Sequence, residues 1–411
     1  LDNAAVYQPP STPSSSAVVH TLLASFLGWA LDAFDFFVLV FVLPAVAREF
    51  HRSIPDLAFT ITATLAMRPV GALLFGWLAD RYGRRLPLII DLLFYSAFEV
   101  LSGLAPSYGW FLLFRALYGI GMGGEWGVGA SIAMEAVPSR WRGLLSGLLQ
   151  EGYAVGYLLA AACFFFVYPH FGWRPLFFIG GLPALLTLYV RTKVPESEAW
   201  QSVRPKSGEI FGAIRRNLRT FLYVVLLMTM MNLVSHGTQD MYPTFLKLQR
   251  GFDARTVAVV AVIYNIGALL GGLLFGLASD FFGRRRSMVT AVLLAIAVVP
   301  LWIYAHSLVW LTVGAFLMQF LVQGAWGAIP AHLIELSPRE VRGLFSGLAY
   351  QLGVLFAANA AFVEALIAQR LGYATALALV ASTVLAGDAI VIALGSERKG
   401  YDLGAPAPVL I

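Results

Sequence analysis

Apolar runs long enough to cross a membrane alternate with short polar joints along almost the whole chain. A bilayer-spanning helix takes roughly 20 mostly apolar residues. On that measure the runs predict helices near 20–46, 57–79, 87–105, 109–135, 143–167 and 172–192, and six more near 219–246, 256–279, 287–305, 308–335, 343–367 and 372–395. The longest polar stretch, 193–218, carries Pro195, Glu196, Arg204, Lys206, Arg215 and Arg216 and divides the chain into halves. The expected organisation is a disordered tail at 1–19, a six-helix bundle at 20–192, a linker at 193–218, a second six-helix bundle at 219–395 and a closing tail at 396–411.

The halves repeat each other. Gly76, Asp80, Gly83, Arg84 and Arg85 fall in register on Gly276, Asp280, Gly283, Arg284 and Arg285. Glu135, Pro138, Arg142, Gly143, Ser146 and Gly147 fall on Glu335, Pro338, Arg342, Gly343, Ser346 and Gly347, and Gly124, Trp126 and Gly127 meet Gly324, Trp326 and Gly327. An even number of spans per half makes the repeat parallel, with the bundles related by a pseudo-two-fold axis along the membrane normal.

Composition narrows the class further. Of 411 residues 59% are hydrophobic and 12% charged, against about 25% charged in an ordinary soluble domain. Little mass remains for a soluble catalytic domain. The single cysteine, Cys163, excludes a disulfide within the chain and a Cys-based metal site. The opening Pro9, Pro10, Pro13 and Ser14 to Ser16 read as a tail and not as a signal peptide. Basic residues sit in short loops instead of on one surface, which suits membrane topology better than nucleic acid. Nineteen of the 28 Lys and Arg fall in one set of alternate loops and seven in the other, with Arg68 and Arg115 inside helices. By the positive-inside rule both termini are expected to be cytoplasmic, in a cell (inner) membrane.

The stretch Gly76-Trp-Leu-Ala-Asp80-Arg81-Tyr-Gly83-Arg84-Arg85 resembles the signature loop of the major facilitator superfamily between its second and third helices, and 276–285 resembles the weaker second copy. The resemblance covers nearly the whole chain. It implies a major facilitator fold: an all-α membrane protein with twelve transmembrane helices in two six-helix bundles, working by alternating access.

Ionisable side chains inside a span are costly and count as functional candidates. Here they are Asp32, Asp35, Arg68, Asp91, Glu99, Arg115, Glu125, Glu151, His236, Asp240, Glu364 and Asp388. Asp91, Glu364 and Asp388 also fit side chains reaching an interface. Asp32 and Asp35 stand one turn apart on one face and repel each other unless a cation intervenes; Arg115, followed by Gly119, Gly121, Gly123 and Gly124, is the expected cation. The arrangement resembles the first-helix acid and fourth-helix arginine of proton-driven superfamily members. A purely structural ion pair is the alternative. For Arg68, just before Pro69, a guanidinium matches a carboxylate through paired donors, or else it partners a first-helix aspartate or Glu151.

In the seventh span Asn232, His236, Gln239 and Asp240 share one helical face, and Gly237 and Pro243 would permit local unwinding beside a water-filled path. Asn232, Ser235, His236, Thr238, Gln239, Asp240 and Thr244 are similar, position by position, to the seventh-helix signature of Jen-type lactate and pyruvate:proton symporters, within the sialate:proton symporter group. Gly123 to Gly127 and Trp29 to Phe37 resemble that group too. Sialate carriers of the group have extra central spans, absent here, which tilts the expectation to a small monocarboxylate. The resemblance implies substrate-binding roles for Arg68, Asn232, His236, Gln239 and Gln351, and proton-coupling roles for Asp32, Asp35, Arg115, His236 and Asp240. Three residues after Gln351 the family pattern has asparagine, where Val354 stands.

Asp80, Arg84, Arg85, Glu135, Arg142, Glu335 and Arg342 are expected to form a cytoplasmic gate of surface ion pairs, Glu135 with Arg142 and Glu335 with Arg342, each worth about 0–1 kcal/mol. No ATP-binding glycine loop occurs, so an ion gradient must drive the cycle; the proton is the coupling ion and no cofactor or metal is implied. A single copy in the lipid bilayer is expected to suffice. Rival readings are a carrier for another organic anion or sugar, such as a sialate or sugar acid, a non-transporting membrane sensor, and an intramembrane enzyme built on His332 and Glu335, which lack a second histidine at ligand spacing.

Overall fold

The computed structural model describes residues 15–401 and 403. Among the described residues all regular structure is helical. In the first half, α1 (Ser15–Glu49), α2 (Ile54–Tyr82), α3 (Arg85–Leu104) and α4 (Tyr108–Ala136) are continuous. They are followed by α5, in two segments (Arg142–Gln150 and Gly152–Phe166), and α6, also in two (Arg174–Ile179 and Pro183–Lys193). The second half holds α7 (Leu218–Gln239 and Tyr242–Leu248), α8 (Ala254–Phe282), α9 (Arg284–Tyr304), α10 (Leu308–Gly327 and Ile329–Leu336), α11 (Arg342–Ala357 and Ala360–Leu371) and α12 (Tyr373–Leu394).

Eleven of these are long and apolar enough to cross a membrane. The exception, α4, is long enough, but every residue from Gly121 to Met134 is buried against protein. A helix so enclosed needs no apolar surface, which is why it can carry so much glycine and charge. The exterior is apolar: Phe165 and Phe171 are each 71% exposed, whereas Arg84, Arg115, Arg284 and Arg342 are fully buried. Such inversion suits a lipid surround, where charges turn to the bundle interior.

Three of the five breaks have a local cause. Pro183, Pro243 and Pro330 sit in the first turn of the second segments of α6, α7 and α10, where a missing N–H costs nothing. The predicted tail at 1–19 is corrected in part: residues 15–19 already belong to α1, while 1–14 lie outside the described residues. The linker is not coil throughout, since it forms short helices at Glu198–Gln201 and Ser207–Arg216.

The two halves meet along α2 with α11 and along α8 with α5, pairs that the repeat makes equivalent. Glycines allow the contact. A Cβ on Gly76 would stand 2.6 Å from Leu344 Cα, one on Gly276 2.6 Å from the Gly143 carbonyl oxygen, and one on Gly127 2.7 Å from Gly347 Cα.

Candidate functional site

At the arginine-rich ends the halves are tied by a duplicated network. Asp80 accepts from the backbone N–H of Gly343 (3.0 Å) and Leu344 (2.9 Å), at the start of α11. Its repeat mate Asp280 accepts from Gly143 (2.7 Å) and Leu144 (2.9 Å), at the start of α5. Each carboxylate thus caps a helix N-terminus of the opposite half, where unpaired N–H groups and the helix dipole favour negative charge. Arg84 donates to Asp80 and, at 3.0 Å, to Glu135; Arg284 donates to Asp280 (2.7 Å) and Glu335 (3.1 Å).

The expected pairing within each half is corrected here. Arg142 reaches across to Glu335 at 2.9 Å, and Arg342 lies 3.5 Å from Glu135. The helix starts that carry the two arginines are held against the opposite half, so each guanidinium meets that half's acid. The pairs are also buried, so they are not the weak surface pairs expected; removing one partner of a buried pair costs about 3–5 kcal/mol. The copies are unequal. Arg142 also donates to the carbonyls of Tyr401 (3.0 Å) and Met134 (3.3 Å), whereas the buried guanidinium nitrogens of Arg342 find no hydrogen bond among the described residues. Arg85 does not cross to the second half and binds the start of the linker: its backbone N–H meets Glu196 (3.2 Å) and its Nη1 the Val194 carbonyl (3.4 Å).

Glu196 and Glu397 escaped the sequence reading. They accept from the backbone of Arg84 and Arg284 at 2.8 Å and 3.2 Å and are equivalent, but their spacing is one residue longer than the repeat register. A search allowing a one-residue gap would have found them.

Midway along the molecule lies a charged centre framed by aromatic rings. Gly123 of α4 packs on the Arg68 backbone of α2, which brings that residue deep into the first half. Arg68 is 5% exposed, and its Nε and Nη2 find no acceptor among the described residues. Asp32, Glu125, Tyr153 and Tyr350 lie within its electrostatic reach. Tyr350 of α11 stacks on Trp126 of α4, with centroids 4.2 Å apart, and meets Trp29 of α1 and Trp326 of α10 edge-on at 6.4 Å and 6.0 Å. Tyr153 of α5 lies 5.5 Å from Trp29. Both halves therefore wall the centre. The aromatic frame was foreshadowed by the repeated Trp126 and Trp326 and by Trp29.

Asp32 and Asp35 are both fully buried. The expected salt link to Arg115 is corrected: Arg115 pairs with Glu99 and lies 4.1 Å over the Tyr118 ring. Tyr118 in turn donates to Asp32, at 3.3 Å to Oδ1. Among the described residues neither oxygen of Asp35 has a donor. Glu99 faces Arg115 from the neighbouring helix, and helical spacing along one chain segment could not reveal that match.

In the seventh span the shared face divides by role. His236 Nδ1 and Asp240 lie 2.9 Å apart and are more than a third exposed. Asn232 is buried and donates back to the Met228 carbonyl at 2.7 Å. Gln239 donates to Gln319 of α10 at 2.6 Å. The helix stops at Gln239 and restarts at Tyr242, one turn beyond Gly237, which packs against Val380. Gln351 reaches across the halves to the Gly123 carbonyl at 3.3 Å, beside Arg68.

Comparisons with known proteins bear on this arrangement. A family model described as Major Facilitator Superfamily matches residues 25–260, and one described as Sugar (and other) transporter matches 228–394. The chain is 28% identical to a Saccharomyces cerevisiae carboxylic acid transporter protein homolog, over 93% of this chain and 68% of that one. It is 30% identical to a probable 4-methylmuconolactone transporter of Cupriavidus pinatubonensis, over 92% and 91%. The solved proton:xylose symporter XylE superimposes with a TM-score of 0.78 at 19% identity, over 95% of this chain and 98% of that one, and so speaks to the fold alone. With more than half its length matched by the family model, and with the duplicated network and helix order in place, the chain belongs to the Major Facilitator Superfamily: it is a multi-pass membrane transporter of organic metabolites and not an enzyme.

Proposed function

We propose that the carrier moves a small monocarboxylate, such as lactate or pyruvate, together with a proton, its two bundles rocking about the charged centre. One observation carries the reading. Arg68 is a buried guanidinium with no ion-pair partner among the described residues, and a planar fork of donors left open in an apolar frame suits a carboxylate. One anion with one proton is neutral, which avoids about 2.3 kcal/mol per charge per 100 mV of membrane potential. Asp32 and Asp35 hold the proton, Arg115 sets their charge balance through Glu99 and Tyr118, and His236 with Asp240 forms the substrate-linked switch. Gln351 and the seventh-span residues Asn232 and Gln239 position the site. The duplicated network, from Asp80 to Arg342, is the cytoplasmic gate, and both termini lie on that side.

The carboxylic acid transporter homolog among the relatives supports an acid as cargo. A second reading, a flat unsaturated acid, is favoured by the Trp29, Trp126, Trp326 and Tyr350 frame and by the relative named for 4-methylmuconolactone. Uptake of labelled lactate, pyruvate, muconate and sialate into proteoliposomes, with and without a pH gradient, separates these. Accumulation of lactate or pyruvate only under an inward proton gradient is the expected result. Accumulation without the gradient, or of sialate alone, sinks the reading.

A further inference from the structure

Glu125 lies at the centre without a role in the scheme above. It sits on α4 in the run Gly123 to Gly127, 1% exposed, and neither oxygen meets a donor among the described residues. Two glycines clear its place: a Cβ on Gly28 of α1 would stand 2.5 Å from Oε1, and one on Gly129 3.1 Å from it. The groups within reach of it are Asp32 from α1, Arg68 from α2, and Asp91 and Tyr95 from α3. Of these only Arg68 is a cation.

A buried carboxylate without donors is costly to keep charged, and a protonated one needs no cation. Once its proton leaves, Glu125 requires a partner, and Arg68 is at hand with unused donors. Asp32 shares that cation, but Tyr118 already donates to one of its oxygens, whereas both oxygens of Glu125 are without a donor among the described residues. A substrate carboxylate needs the same guanidinium.

We propose that Glu125 ties proton to substrate by competing with the substrate for Arg68. Protonated, it leaves the guanidinium to the incoming anion. Deprotonated, its carboxylate takes Arg68 and displaces the anion, while the proton passes to water. The two cargoes therefore load and leave together, one of each, with Asp32 and Asp35 relaying the proton. The inference rests on Arg68 as the anion's cation.

Two measurements on the reconstituted full chain test it. Infrared difference spectra between acidic and alkaline buffer, without substrate, should contain a glutamic acid carbonyl band that Glu125→Gln removes; an unchanged band overturns the proposal. Exchange of labelled lactate between equal pools should fall by up to about tenfold per pH unit on the alkaline side, as the protonated fraction of a single acid does. In Glu125→Gln exchange should become independent of pH and accumulation should be lost, while Glu125→Asp keeps the pH dependence. A wild-type profile in the glutamine variant, or loss of the dependence in the aspartate variant as well, overturns it. Should the wild type fail to exchange lactate, the lactate reading falls and the infrared band still decides on Glu125.

Discussion

Arg68 shows what a single side chain must supply. Lysine keeps the charge but not the planar fork, so Arg68→Lys should weaken binding of the transported acid by roughly ten- to a hundredfold, the worth of one or two charge-assisted hydrogen bonds. Calorimetry on purified protein reads this, and unchanged affinity would remove Arg68 from the site. Asp32→Asn and Asp35→Asn should abolish accumulation driven by a pH gradient yet spare exchange, because exchange does not return an empty, deprotonated carrier. Normal accumulation in both variants would leave the proton to Glu125 without the relay, or move it to His236 and Asp240. Most of the charged centre was legible from residue type, since an ion inside an apolar run demands a reason. Its partners were not: Arg115 takes Glu99 instead of the acids of α1, because partner choice depends on how α3 and α4 lie against each other.

At the scale of helices, apolar run length located the spans to within a few residues, except that α1 already covers 15–19 and α11 resumes as far as Leu371. The interruptions were harder to read. Pro243 foretold a break in α7, yet the break falls at 240–241, just before the proline's own turn, and the bond from Gln239 to Gln319 anchors the last residue ahead of it. Gln239→Leu should therefore loosen the joint between α7 and α10 and leave a buried amide on Gln319, costing about 1–3 kcal/mol. Thermal melts of the single variant and of the Gln239→Leu, Gln319→Leu pair test the link, and the double variant should recover part of the loss. Additive losses would deny the contact.

For the molecule as a whole, the repeat was visible in sequence but its cross-bracing was not, since identical motifs cannot say whether each pairs with itself or with its copy. The structure pairs each with its copy. Spin labels at Tyr82 and Phe282, on exposed ends of α2 and α8, with Cys163 replaced by alanine, can read the separation of the basic ends. Asp80→Asn and Arg142→Ala should each lengthen that distance, and Arg142→Ala more than Arg342→Ala, because Arg142 has three acceptors while Arg342 has one distant acid. Equal displacement would make the difference between the copies inconsequential. That difference carries a mechanical meaning. A body pinned firmly at one point and loosely at another swings about the firm pin, so the basic ends should part first where α4 faces α11 and pivot beside α5 and α10. Duplication made the architecture symmetrical, and one under-supplied arginine gives its motion a handedness.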